Sequence, residues 1–356
     1  QCGHYQPSPQ ASHRPERRNA ASLSARKGLD GLRRFQPARV TLDFDGSVLS
    51  TQRRAEGTAV GFNKKKKGAR SYYPLFCTIA QTGQVLDFLY RPGNVHDSHG
   101  AEAFILACIE AVRAVLPNAL IEVRMDSAFF SDKIVGTLAR QGVEFTISVP
   151  FERFVELKKM IAQRRRWRRV DAETHCFEAA WKPQCWDRRF RFVFIRTRAK
   201  KQQKGPIQLD LFEPYEYGYA FKVIVTNKTL RAKRVTAFHE GRGSQEGVFA
   251  ELKSHCHLDY VPVRTLYGNQ TYLLAGLFAY NLTRQLQMQS AQPARGTTAK
   301  RTCLWVFEKV DTLRKTLLQR AGRLTRPQGT LTLTLSANSW IQTRLLYILD
   351  QIPANA

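Results

Sequence analysis

Two short stretches constrain the fold most. Arg39 to Asp45 reads Arg-Val-Thr-Leu-Asp-Phe-Asp and Ile121 to Asp126 reads Ile-Glu-Val-Arg-Met-Asp. Both alternate apolar and polar residues with the period of two that marks a β-strand. In the first, Val40, Leu42 and Phe44 share one face while Thr41, Asp43 and Asp45 share the other. Each stretch ends on a polar-face Asp just before a turn, at Gly46-Ser47 and at Ser127 to Phe130. Such strands need an apolar layer on one side and, on the other, surroundings that accept carboxylates. A strand that simply runs out into a polar turn would show the same pattern, so the rest of the chain has to decide.

Around these strands the order of elements is that of an α/β sheet. Tyr72 to Ala80 and Val85 to Tyr90 read as an antiparallel hairpin closed at Gln81-Thr82-Gly83-Gln84. Helical spacing follows at Phe104 to Val115 and at Asp132 to Gln141, with Val143 to Val149 as another strand. Strand, strand, strand, helix, strand, helix, strand implies a mixed sheet with parallel crossovers. Residues 151–235 then read as a β-rich insertion: a basic helix with Arg164, Arg165, Arg166, Arg168 and Arg169, then strand-like runs. Trp167, Trp181 and Trp186 in this block fit either the core of a small sheet or platforms for exposed bases. Residues 1–37 read as a disordered basic tail, 38–150 and 236–290 as two parts of one core, and 291–356 as a C-terminal helix and strand extension.

Composition narrows the partner. With 56 Lys and Arg against 29 Asp and Glu, the formal charge is +27. A field of that sign and size attracts polyanions. No apolar run reaches the roughly 20 residues that span a bilayer, so nucleic acid is expected rather than membrane. Lys64, Lys65, Lys66 and Lys67 form an exposed loop suited to phosphate. The seven cysteines lack paired spacing and read as reduced thiols of a cytoplasmic protein; His255-Cys256-His257 is not expected to bind metal.

The stretch from His239 to Lys253 completes the pattern. Gly241 and Gly243 break a strand-like run, Ser244 is placed to cap a helix, and Val248, Phe249 and Leu252 recur at helical spacing. Arg242, Glu246 and Lys253 lie four and seven residues apart, roughly on one face. Alone, such a triplet fits a solvated salt-bridged helix better. Read with Asp45 and Asp126, Glu246 supplies a third carboxylate. Three carboxylates without His or Cys make a hard-oxygen site for Mg²⁺, with Mn²⁺ as substitute. Two such ions about 4 Å apart suit in-line displacement at phosphorus.

These residues resemble a bacterial insertion-sequence transposase of the DDE type, nearest to the insertion-sequence family numbered thirteen-eighty. The resemblance rests on Leu42-Asp43-Phe44-Asp45-Gly46-Ser47, Gly61-Phe62-Asn63 with Tyr73-Pro74, Arg91 to His96, Arg124 to Ser131, and Glu251-Leu252-Lys253. It implies a ribonuclease H-like mixed sheet flanked by helices, with a β-rich insertion between the second Asp and the Glu helix. It implies Asp45, Asp126 and Glu246 as catalytic acids and metal ligands, with Asp43 an alternative to Asp45. Relatives share a Tyr-x2-Arg-x3-Glu-x6-Lys pattern; Arg242, Glu246 and Lys253 fill its last three positions, and His239 stands where Tyr would. Arg242, Lys253, His239 and the lysine loop are then the phosphate contacts. The implied partners are double-stranded DNA, as terminal inverted repeats and target, and a second copy in a synaptic homodimer. The short irregular tail suggests truncation at the N-terminus. The competing expectations are a non-catalytic DNA-binding remnant that inhibits a full-length relative, and a metal-dependent nuclease on the same fold.

Overall fold

The computed structural model describes residues 28–61, 63, 66–96, 98–198, 218–335 and 338–351. Its centre is a nine-stranded mixed sheet in the order β6-β5-β1-β7-β8-β12-β11-β10-β9. In chain order, β1 is Arg39–Gly46, β2 Leu49–Thr51, β3 Ala59–Val60, β4 Arg70–Tyr72, β5 Leu75–Ile79 and β6 Gln84–Leu89. β7 is Leu120–Met125, β8 Glu144–Val149, β9 Arg168–Arg169, β10 Thr174–Trp181, β11 Phe190–Arg198 and β12 Tyr219–Thr226. β5 pairs antiparallel with β1, whereas β1, β7 and β8 run parallel. The parallel crossovers are α2 (Ala101–Val115) and α3 (Asp132–Arg140). The second of these starts under a Ser131 cap, its Oγ accepting from the Ile134 amide at 3.4 Å.

Alternation in the strands becomes a division between the two sheet faces. Val40, Leu42, Phe44, Ile121, Val123, Met125, Phe145, Ile147 and Val149 form one apolar core with α2, α3 and α4 (Val155–Ala162). The opposite face carries Thr41, Asp43, Glu122, Arg124 and Thr146, all of them fully buried. Three helices lie on that side: α5 (Ala232–Glu240), α6 (Ser244–His255) and α7 (Leu266–Ser290). α6 and α7 add a second apolar cluster with Tyr72, Phe76, Leu252, Leu273 and Tyr280. α5 adds a third with Cys176, Val193, Ile195 and Ile224.

Charges on the buried polar face are paired, as burial demands. Lys228, fully buried, donates to Glu122 at 2.7 Å and also to Glu144. Arg39 reaches Glu122 and Glu144 at 3.1 and 3.0 Å, and Arg301 reaches Glu122 at 3.0 Å. Burial would raise the Glu122 carboxyl, but Lys228 and Arg301 outweigh it and hold the group down to about 2.

Several expectations change here. The tail does not extend to residue 37: residues 28–35 form helix α1, and Leu32 is buried in the main core. The strands of the block 151–235 join the main sheet, because β12 pairs antiparallel with β8 and carries β11, β10 and β9 onto it. Trp181 and Trp186 are buried in the main core, with Trp167 packed against it. The run before Gly241 is helical rather than strand-like, so α5, a 3₁₀ turn at Gly241–Gly243 and α6 follow one another directly. Ser244 makes no capping bond for that reason. The stretch 304–319 is helical only from α8 (Val310–Leu313) through Leu318. The strand at the C-terminus, β14 (Thr332–Leu335), pairs with β13 (Gly322–Thr325), and α9 (Ser339–Asp350) follows, for which the sequence reading had no element.

Candidate active site

The parallel register of β1 and β7 puts Asp43 beside Arg124 and Phe44 beside Met125. One residue further along, Asp45 stands beside Asp126, where neighbouring strands are about 4.8 Å apart. Asp126 ends its strand and caps the next turn, Oδ1 accepting from the Ala128 amide at 3.0 Å. Asp45 Oδ1 accepts from the Gly46 amide at 2.8 Å, and its Oδ2 accepts from Arg242 Nη1 at 2.8 Å. Burial raises the Asp45 carboxyl, Arg242 opposes the rise, and the Asp126 charge adds to it, leaving Asp45 pushed up to about 6.

Asp43 faces the same way but is held differently. Arg124 Nε and Nη2 grip its two oxygens at 2.5 and 2.7 Å, and both side chains are buried. The remaining Arg124 nitrogen, Nη1, donates to the Phe238 carbonyl at 2.9 Å and the Lys300 carbonyl at 2.6 Å. This carboxylate is committed to a bidentate pair inside the protein, whereas Asp45 lies at the edge of the site.

Gly241 permits that arrangement. A Cβ at this position would lie 1.8 Å from the Lys300 carbonyl oxygen and 2.1 Å from Arg124 Nη1. The turn can therefore approach the guanidinium only without a side chain. α6 is then fixed near both its ends: Gln245 Nε2 donates to the Asp43 carbonyl of β1 at 3.1 Å and Lys253 Nζ to the Val48 carbonyl in the turn after β1 at 3.2 Å.

The sequence-derived site residues divide accordingly. Asp45, Asp126 and Arg242 come together. Glu246 sits exposed in the first turn of α6, beside the anchoring Gln245. Among the described residues, no three His, Cys, Asp or Glu side chains stand close enough to hold a metal ion together. The Asp45–Asp126 pair nevertheless fits a hard divalent cation chemically: the Asp126 charge and burial raise the Asp45 carboxyl more than Arg242 and the Gly46 amide lower it. His239 is not a phosphate contact. It is 1% exposed, with Nε2 bonded to Ser148 Oγ at 2.9 Å and Nδ1 to Thr146 Oγ1 at 3.1 Å. Burial, then the Lys222, Arg242 and Arg124 charges, pushes its pKa well below the usual histidine range, so the ring is neutral there. Lys66 and Lys67 are exposed on the loop between β3 and β4, while Lys64 and Lys65 lie outside the described residues.

The sequence reading missed Arg124, Gln245 and Lys222. Arg124 alternates with Asp126 on the same strand face, so its role had a signal; Gln245 had none. Lys222, on β12, interacts with Arg242 and Glu240 at the rim, and burial lowers its pKa.

No curated protein matches the sequence. Among solved structures, the piggyBac transposase in a synaptic complex with hairpin DNA aligns at TM-score 0.46 and 10% identity, over 88% of this chain. The chain spans 58% of the length of that protein. The Mos1 mariner transposase in its paired-end complex with Mn aligns at TM-score 0.22 and 10% identity, covering 41% of this chain and 46% of that one. Among the described residues, no helix is long and apolar enough to cross a membrane. The family profile described as "Transposase DDE domain group 1" matches residues 14–355, nearly the whole sequence, and the chain belongs to that family.

Proposed function

We propose that this chain is a DNA transposase on a ribonuclease H-like core that cleaves strands at transposon ends and transfers them into target DNA. The observation that carries the reading is the Asp45–Asp126 pair at the carboxyl ends of adjacent parallel strands, with Asp45 pushed up to about 6. Asp45 and Asp126 would hold Mg²⁺ or Mn²⁺, with Glu246 as the third acid from the first turn of α6. The ions, when bound, supply an activated oxygen nucleophile and stabilise the leaving oxygen.

The chain's own groups do the rest. Arg242 balances the charge of Asp45 until a cation takes its place, and its other nitrogens can then turn to a phosphate oxygen. Lys253, together with the lysine loop around Lys66 and Lys67, is offered as further phosphate contacts. Lys222 lies beside Arg242 and lends the same rim positive charge. The pairing of Asp43 with Arg124 favours Asp45 as the first acid.

Duplexes carrying the element's inverted repeats test the reading. With Mn²⁺, the wild-type chain is expected to release a 3′-hydroxyl end and to join it to a second duplex. Asp126→Asn is expected to reduce both steps by about a thousandfold. Binding without cleavage by the wild-type chain would refute it. That outcome belongs to a second reading, a DNA-binding chain without catalysis, to which the exposed position of Glu246 lends support. Hydrolysed strands never joined to target would indicate a nuclease instead.

A further inference from the structure

A second feature lies at the far edge of the sheet. Arg164, Arg165, Arg166, Arg168 and Arg169 follow α4 and run into the edge strand β9, all exposed. Arg164, Arg166 and Arg168 line an open cleft of about 490 Å³ against Cys176, Phe177 and Glu178 of β10. The one acid of the cleft, Glu178, is already paired with Arg191 at 2.9 Å. Among the described residues, no carboxylate is bonded to any of the five arginines.

The aromatic floor beneath them is closely packed. Phe177 stacks on Phe194 with ring centroids 4.3 Å apart, and Trp167 meets Phe177 edge-on at 4.7 Å. Trp167 Nε1 donates to the Arg164 carbonyl at 3.1 Å, and the Arg164 guanidinium lies 4.9 Å from the Phe177 ring centroid. Arg196 lies 4.7 Å from the centroid of Trp167. Cations held in place over rings lose less freedom on meeting an anion than cations on loose side chains.

We propose that this cleft is a second DNA-binding site, which takes the sugar–phosphate backbone of a duplex whose other part lies at Asp45 and Asp126. The proposal rests on the reading of the chain as a DNA-acting enzyme. Six strand intervals separate β1 from β9 in the sheet order. At about 4.8 Å each they span about 29 Å. A straight duplex covers that distance in roughly eight or nine base pairs. The cleft floor lies on the sheet face opposite Asp43, but the strand pairings put β9 and the carboxyl end of β1 at the same end of the sheet, so one duplex laid across that end can touch both sites. Guanidinium forks match phosphate oxygens, and each phosphate neutralised releases condensed counterions, which makes the contact visible in salt dependence.

The test uses the full chain and a fluorescein-labelled duplex of about 30 base pairs of arbitrary sequence, its affinity followed against NaCl concentration. R164A/R166A/R168A is expected to lower the slope of log K against log salt by about 2 to 3. R34A/R323A/R326A removes the same charge from exposed arginines elsewhere and is expected to lower it by less than about 1. R164K/R166K/R168K keeps the charge and is expected to keep the slope, which separates lost contacts from lost folding. Equal slopes in the wild-type and alanine variants, or equal drops in both alanine variants, would overturn the proposal. Cleavage by the wild-type chain is scored separately: a slope that falls without any cleavage keeps this site and sinks the catalytic reading, and cleavage with an unchanged slope does the reverse.

Discussion

Asp43 and Asp45 are two residues apart on one strand face, yet their surroundings give them opposite uses. Asp43 is neutralised by Arg124 in a buried bidentate pair. Removing one member leaves the other buried and unpaired, so Arg124→Met is expected to cost about 3–5 kcal/mol in urea denaturation. Asp45 works the other way. Its folded pKa of about 6 exceeds that of an ordinary Asp, so between pH about 4 and about 6 the folded chain keeps a proton that the unfolded chain has lost. Stability therefore falls as pH rises through that window, and above it the cost is fully present. Asp45→Asn is expected to be more stable than wild type at pH 8, by up to about 3 kcal/mol less what Arg242 loses, and not at pH 4. A deficit of equal size at both pH values would show that the carboxylate is not strained. The alternation of Arg39 to Asp45 was enough to place both acids on one face. It could not distinguish them, because what separates them is Arg124 on a neighbouring strand and a carbonyl from residue 300.

At the level of elements, the hairpin, the parallel crossovers and the strands bearing Asp were legible because period-two alternation and turn residues report local geometry. The extension of the sheet by β12, β11, β10 and β9 was not, since only the pairing of Val223 to Thr226 with Thr146 to Val149 joins the two halves. Trp186 shows the consequence. It is 4% exposed and lies 4.8 Å from Phe130, centroid to centroid, so it is core rather than a platform for bases. Trp186→Ala is expected to cost about 3–5 kcal/mol by thermal or urea unfolding. Loss of DNA affinity with unchanged stability would restore the base-stacking reading. The α5–α6 junction shows a different limit. Gly241 and Gly243 read as strand breakers, yet Gly241 is there for the close approach of Arg124 and Lys300. Gly241→Ala is expected to destabilise by about 1–3 kcal/mol through that contact, whereas Gly243→Ala, with nothing within 4 Å of its added Cβ, is not.

Across the whole molecule, the formal charge of +27 is not lowered by the ion pairs the fold buries, since each joins one acid to one base. Asp43, Glu122 and Glu251 are taken up in pairs with Arg124, Lys228 and Arg284, away from solvent. The polar face of the sheet thus serves two ends. Toward the start of β1 and β7 it is a closed network around Glu122 and Lys228; toward their carboxyl ends Asp45 pairs with Arg242 and feels the Asp126 charge beside it. Composition could announce a polyanionic partner but not where two carboxylates come side by side, because that depends on which charges the fold brings together. Titration of Mn²⁺ into the wild-type chain, followed by the electron paramagnetic resonance signal of the free ion, tests the proposed site most directly. Asp45→Asn and Asp126→Asn are expected to abolish tight binding, Glu246→Gln to weaken it, and Asp43→Asn, in whatever fraction remains folded, to retain it. Binding that survives both Asp45→Asn and Asp126→Asn, or that is lost only in folded Asp43→Asn, would contradict the assignment.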